Sequence, residues 1–177
     1  APETLRASSL LGAVDDLRGK TAEAEQLLSS VLPVERRVLG ADHPSSLKTL
    51  ANLANLYDSQ GRYDLSDPLK REVFERRRKA LGPDHPDTLG SQYNLAVAAY
   101  RAGRYEEAER LLVDVQAAFV RVVGRDHPNA LVAQDLLGTV YLELGRLADA
   151  RRCYEEAYQA RRRVLGPEHM DTLGSQL

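Results

Sequence analysis

The sequence predicts an all-α chain, a stack of antiparallel helical hairpins with four complete repeats and half of a fifth first helix. Three observations predict it. The four histidines, His43, His85, His127 and His169, stand 42 residues apart. Two sets of glycines keep the same step, Gly40, Gly82, Gly124, Gly166 and Gly19, Gly61, Gly103, Gly145, as do the leucines Leu5, Leu47, Leu89, Leu131, Leu173 and Leu11, Leu53, Leu95, Leu137. Between these markers the small and apolar residues recur at helical spacing.

Each unit contains two helices, A and B. In the third repeat helix A is expected from about Pro86 to Ala102, with Leu89, Leu95, Ala96 and Ala99 at helical intervals. Helix B follows from about Tyr105 to Val123, with Ala108, Leu111, Leu112, Val115 and Phe119 on one stripe. Gly103 and Gly124 close the two helices, where a residue must take positive φ. Asp84 or His85 supplies the next cap, and Pro86 suits a first helical turn. Small residues at Gly12, Ala54, Ala96, Gly138 and at Ala24, Ser66, Ala108, Ala150 let A and B approach closely. A hairpin with apolar residues on more than one face cannot bury them alone, so neighbours must stack.

Pro2 shares the register of Pro44, Pro86 and Pro128, so the repeats run over 2–43, 44–85, 86–127 and 128–169. Residues 170–177 open a fifth helix A, as Asp171 to Leu177 follow Asp87 to Tyr93. The whole chain, 1–177, reads as one array. No polar capping helix closes it, and a longer parent protein is expected. Two prolines disturb the pattern. Pro33, inside the first helix B, should kink it. Pro68 lies early in the second helix B, where Ser66 or Asp67 would cap a delayed start. Ser66 and Lys70 also replace the residues equivalent to Ala108 and Leu112, so the second hairpin should be the least regular.

Composition limits the function. Net charge is −2 and the pI near 6.1, without the basic excess that a nucleic-acid or polybasic membrane surface needs. No apolar run approaches the ~20 residues of a membrane helix. The opening APETLRASSL has neither the basic run nor the apolar core of a signal peptide. Cys153 is the single cysteine, read as a small buried apolar residue that fits a reducing compartment. A cytoplasmic location is expected.

No hydrolase nucleophile motif, P-loop or dinucleotide fingerprint occurs, and no enzymatic activity or cofactor is expected. The histidines invite a metal hypothesis. Equivalent residues of adjacent repeats are at least one helix-packing distance apart, ~8–10 Å, whereas zinc ligands lie ~2.0–2.1 Å from one ion. They are read as shaping the linker. The clusters Arg36-Arg37, Arg76-Arg77-Arg78-Lys79 and Arg161-Arg162-Arg163 all fall in the last turns of helix B. They either compensate the helix dipole and solvate the surface, or form a basic rim for an acidic peptide.

Gly61-Arg62-Tyr63, Gly103-Arg104-Tyr105-Glu106-Glu107-Ala108 and Leu53-Ala54-Asn55-Leu56-Tyr57 resemble tetratricopeptide repeats. The usual repeat of that family has 34 residues. The 42-residue form, with its longer helix B and the linker from Leu81 to Leu89, is similar to the repeats of kinesin light chain. It also resembles repeats that follow nucleotide-binding domains in bacterial and fungal signalling proteins. The resemblance implies a right-handed α-solenoid whose A helices line a concave surface.

Carried onto this sequence, the groove-facing positions of the second repeat are Ala51, Asn52, Asn55, Asp58 and Ser59, with Lys48 one turn before Asn52. Those of the third are Tyr93, Asn94, Val97, Tyr100 and Arg101, and those of the fourth Asp135, Leu136, Thr139, Leu142 and Glu143. The candidate peptide-binding set is Lys48, Asn52, Asn55, Tyr93, Asn94, Val97, Tyr100, Arg101, Asp135 and Thr139. Asparagine is a poor choice for an exposed helix interior on propensity alone, but its amide both donates to and accepts from a peptide backbone. The expected function is a scaffold that binds a protein or peptide. The alternatives are a regulatory sensor module of a larger nucleotide-dependent signalling protein, and a structural repeat that self-associates through its open ends.

Overall fold

A computed structural model describes residues 21–174, and the helix A expected after Pro2, with Leu5, Leu11, Gly12 and Gly19, lies outside the described residues, as do Ser175, Gln176 and Leu177. The described residues form eight helices and no strand. The chain divides into two compact units, Ala1–Pro83 and Asp84–Leu177.

In the first unit, α1 (Thr21–Val38) is the helix B of the first repeat, and α2 (Pro44–Ser59) and α3 (Tyr63–Leu81) form the second hairpin. Its core joins Ala24, Leu28 and Leu32 of α1 to Leu50, Leu53 and Leu56 of α2 and Val73 of α3. The second unit holds α4 (Pro86–Arg101), α5 (Tyr105–Val123), α6 (Pro128–Glu143), α7 (Leu147–Leu165) and the short α8 (Met170–Leu173). Here Leu89, Ala96 and Ala99 of α4, Leu112, Val115 and Phe119 of α5 and Ala133, Leu137 and Val140 of α6 share one core. Within each unit a helix B therefore completes its core on the next helix A, as the two-faced apolar pattern requires.

The punctuation residues do the local work. Each described helix A starts at a histidine in extended conformation, and the ring Nδ1 rather than the neighbouring aspartate caps it. Gly103, at φ 70°, ends α4. Its N–H donates to the Tyr100 carbonyl and that of Arg104 to the Ala99 carbonyl, both at 2.9 Å. This is the Schellman pattern, repeated at Gly61 and Gly145. The turn carries the following arginine back over the last turn of helix A, so Arg62 covers the Tyr57 ring and Arg146 the Tyr141 ring, each at 4.4 Å. The same arginines tie the second and fourth hairpins to the helix B before them, Arg62 to Glu25 at 2.7 Å and Arg146 to Glu109 at 2.6 Å.

One expectation needs correction. Helix α3 starts at Tyr63, not late at Ser66 or Asp67, and runs through Pro68 without a break. Helix α1 also holds its proline, Pro33, within the helix. In each, the proline removes one backbone donor from the ladder, and packing along the rest of the helix outweighs the loss.

The irregularity of the second hairpin is chemical instead. Asp58, expected on the open face, turns inward and pairs with Lys70, which is only 6% exposed. Ser66 Oγ lies 3.5 Å from the same carboxylate oxygen. Lys70 occupies the place of Leu112, and an ammonium there requires a counter-charge. Asp58→Ala is expected to destabilise the protein by ~3 kcal/mol by stranding the ammonium. The pair Asp58→Leu with Lys70→Leu, residues that the sister repeats carry at Leu142 and Leu112, should unfold at or above the wild-type denaturant midpoint. A double variant as unstable as Asp58→Ala would refute the pairing.

The fourth hairpin shows the opposite adjustment. Tyr154 stands where Leu112 does in the third, and Gly138 where Ala96 does. A β-carbon on Gly138 would lie 3.0 Å from the Tyr154 ring and 3.2 Å from Cys153 Cβ. The larger ring needs the missing methyl. Gly138→Ala should therefore lower the melting temperature in the wild type and raise it in a Tyr154→Leu background, where the higher helix propensity of alanine is no longer opposed by the clash. Equal effects in both backgrounds would show that the two residues are not coupled.

Candidate functional site

The candidate residues lie on both units. On α2, Lys48, Asn52 and Asn55 follow at intervals of four and three, which places them on one stripe of the helix. Lys48 and Asn55 are exposed and Asn52 is half-buried. The Asn52 amide nitrogen is fully buried, with no acceptor among the described residues. Ser59 bonds its own helix, donating to the Leu56 carbonyl at 2.8 Å.

In the second unit Asn94 and Val97 of α4 correspond to Asn52 and Asn55, and Tyr93, Tyr100 and Arg101 lie on the same helix. Asn94 and Arg101 are exposed, whereas Tyr93 and Tyr100 are half-buried and rest on the core. Burial raises the Tyr93 phenol above its ordinary range, the Asp135 carboxylate of α6 adds to the effect, and Arg101 opposes it. Tyr93, Arg101 and Asp135 are thus electrostatic neighbours. Tyr100 meets Tyr105 of α5 with ring centroids 5.8 Å apart. The Tyr105 phenol is raised too, first by the charge of Glu143 on α6 and also by a hydrogen bond to it.

Both acids on this face are engaged. Both guanidinium nitrogens of Arg161 donate to Asp135, one at 3.1 Å. The Thr139 hydroxyl bonds the Tyr154 hydroxyl of α7 at 2.9 Å and donates to the Asp135 carbonyl at 3.1 Å. Sequence reasoning missed Tyr105, Tyr154 and Arg161, which all come from B helices. A signal existed. Position 161 corresponds to Phe119 and position 135 to Tyr93, so two aromatic residues of the third repeat give way to an ion pair in the fourth.

The arginines near the ends of helix B are largely spoken for. Arg36 and Arg76 bond Glu72 at 2.9 and 2.7 Å, and Arg76 also bonds Asp42 at 2.8 Å. Burial pushes the Glu72 carboxyl up, but Arg76 and Arg36 together hold it below its usual range. Arg121 pairs with Asp84 and Arg163 with Asp126. These pairs tie the end of a helix B to the linker before its own helix A, which weakens the reading of a free basic rim.

The described residues contain no group of three or more potential metal ligands. Burial pushes the Cys153 thiol up to about 11, which leaves it protonated at neutral pH and a poor nucleophile. A cavity of about 420 Å³ opens beside Leu131, Val132, Val164 and Met170, with the Asp135–Arg161 pair at its edge. No described helix is long and apolar enough to cross a membrane.

Comparison with known proteins gives the chain its relatives. It matches the tetratricopeptide repeat family over residues 3–79, 59–119, 89–163 and 136–175. Its structure is similar to the crystal structure of nearly identical TPR-like repeats from Podosopora anserina, named as those of a kinesin light chain. The two are 30% identical with a TM-score of 0.87, over 99% of this chain and 83% of that one. A single-substitution form of the same protein gives 30% identity and a TM-score of 0.88, over 99% and 82%. BtubC (BKLC) from P. vanneervenii shares the fold at 18% identity and a TM-score of 0.83, over 94% of this chain and 66% of that one. None of the curated proteins matches the sequence.

Proposed function

Since the chain belongs to the tetratricopeptide repeat family, in its 42-residue kinesin-light-chain-like form, we propose that it is a scaffold whose A-helix faces hold a peptide segment or a helix of a partner protein. The observation that carries this reading is the set of asparagine amides at matched positions of two A helices. Asn52 and Asn94 are equivalent by repeat, and Asn55 and Asn94 are exposed. An amide in that position can bond an extended backbone whatever its sequence. Lys48 lies on the same helix as Asn52 and Asn55, and Tyr93, Tyr100 and Arg101 on the same helix as Asn94, and each would contact side chains of the ligand.

The activity is equilibrium binding without bond changes. Micromolar affinity for such a face corresponds to about −8 kcal/mol. Asp135 and Glu143 are engaged from within the fold, so on α4 and α6 neither acid stands free to repel or attract a ligand. We place the protein in the cytoplasm, because its single cysteine is buried and unpaired and a reducing compartment suits that state.

A peptide-array screen with the purified chain, repeated with Asn55→Ala plus Asn94→Ala, tests the assignment. Peptides that bind the wild type should lose about tenfold in affinity, ~1.4 kcal/mol, while helicity by circular dichroism stays unchanged. Undiminished binding by the double variant would reject the A-helix faces as the ligand surface.

A further inference from the structure

We propose that the cavity beside α6 is a specificity pocket, which takes an aliphatic side chain of the bound peptide together with a lysine or arginine two residues away. It rests on the scaffold reading above, because Val132 and Asp135 hold on α6 the places of the candidate residues Lys48 on α2 and Tyr93 on α4. The walls come from three helices of the second unit. Leu131 and Val132 belong to α6, Val164 and Leu165 to the end of α7, and Met170 to the start of α8.

The space has a cause in the sequence. In the third repeat Tyr93 and Phe119 stand at the matching places and pack on the core. In the fourth an aspartate and an arginine replace them and pair with each other, and a carboxylate fills far less volume than a phenol ring. Met170 departs from the pattern too. Pro44, Pro86 and Pro128 open the other described A helices. Here a long, adaptable thioether chain stands instead, 79% exposed. Val132, Val164 and Leu165 are exposed as well. Single exposed apolar residues are ordinary, but four around one cavity mark a contact surface.

Size and charge select the occupant. An apolar cavity of ~150 Å³ holds a benzene ring, so about 420 Å³ seats a leucine side chain with room for the aliphatic stem of a second residue. Among the described residues that line it are three carboxylates, Asp126, Asp135 and Asp171, against the guanidinium of Arg161. Arg161 is committed to Asp135, and Arg163 reaches Asp126 from outside the lining. The Asp171 side chain is 70% exposed, and the exposed Glu168 lies three residues before it. A cationic head above the apolar walls meets this negative edge, whereas an acidic one is repelled. In an extended peptide alternate side chains share a side, which sets the two-residue spacing.

Amide NMR titrations of the whole chain with glycine-serine peptides that carry Leu-Ser-Lys, Leu-Ser-Glu or Ala-Ser-Lys test this. The Leu-Ser-Lys peptide should shift the Val132, Val164 and Met170 amides and bind about fivefold more tightly than Leu-Ser-Glu. Ala-Ser-Lys should give no saturable shift at these amides. Asp171→Asn should bring the two leucine peptides to within roughly twofold of each other. Val132→Lys, at an exposed position outside the core, should remove the shifts. No saturable shift with Leu-Ser-Lys, or equal affinity for the two leucine peptides, overturns the pocket. Shifts on Asn55 and Asn94 alone overturn it as well and leave the scaffold standing. Pocket shifts that persist unchanged in Asn55→Ala with Asn94→Ala uphold the pocket and reject the asparagine assignment instead. Broadening of the pocket amides with protein concentration, in the absence of peptide, would make a second copy the occupant and contradict the proposal.

Discussion

The closest approach in each hairpin lies where helix A crosses helix B, and it allows no spare volume. Ala54, Ala96 and Gly138 on the A helices and Ser66, Ala108 and Ala150 on the B helices are all buried there. Interiors are packed to crystal density, so one methyl group at such a crossing is felt. The fourth hairpin shows the constraint at its limit, since Gly138 has given up its side chain to the Tyr154 ring. The narrow crossing keeps the two helices of a hairpin close enough for the large residues on either side to interdigitate. It also fixes the phase at which the next helix A arrives.

That phase has a consequence for the surface. Where a helix A packs against the B helix before it within one unit, residues at matched positions of the two A helices come near one another. In the second unit this brings Tyr93 of α4 close enough to Asp135 of α6 to feel its charge. The chain also exchanges chemistry at matched positions without changing the backbone. Leucine gives way to lysine at Lys70, with a carboxylate brought inward to meet it. Phenylalanine gives way to arginine at Arg161, again with a partner acid on helix A. Both exchanges are paired, as burial of a charge requires. They show how such an array diversifies while its fold stays constant.

Much of the fold was legible because its punctuation is chemical. Glycines that must take positive φ and histidine-proline linkers recur with a fixed period, and they mark the helix ends to within a residue. Helix α5 spans Tyr105–Val123 as read, and α4 stops at Arg101, one residue before the expected Ala102. The error at Pro68 came from judging a proline by propensity alone. Helix α3 buries Ser66, Lys70, Val73 and Phe74 and absorbs one missing donor. The candidate surface was legible as a set of positions on helix A and not as a set of contacts. Asp58, Asp135 and Thr139 are each committed to a partner on helix B, across 12 to 26 residues of sequence. Such pairings depend on the crossing geometry, which periodicity alone does not reveal.

The account depends most on the small residue at the crossing, and Ala96, with no exposed surface, is the clearest place to challenge it. Thermal and denaturant unfolding of Ala96→Leu measures this directly. A loss of about 1–3 kcal/mol is expected, because three added carbons must be forced between α4 and α5. An unfolding curve that coincides with the wild type would mean that helices A and B do not meet at this residue, and the register of the whole repeat would have to be redrawn.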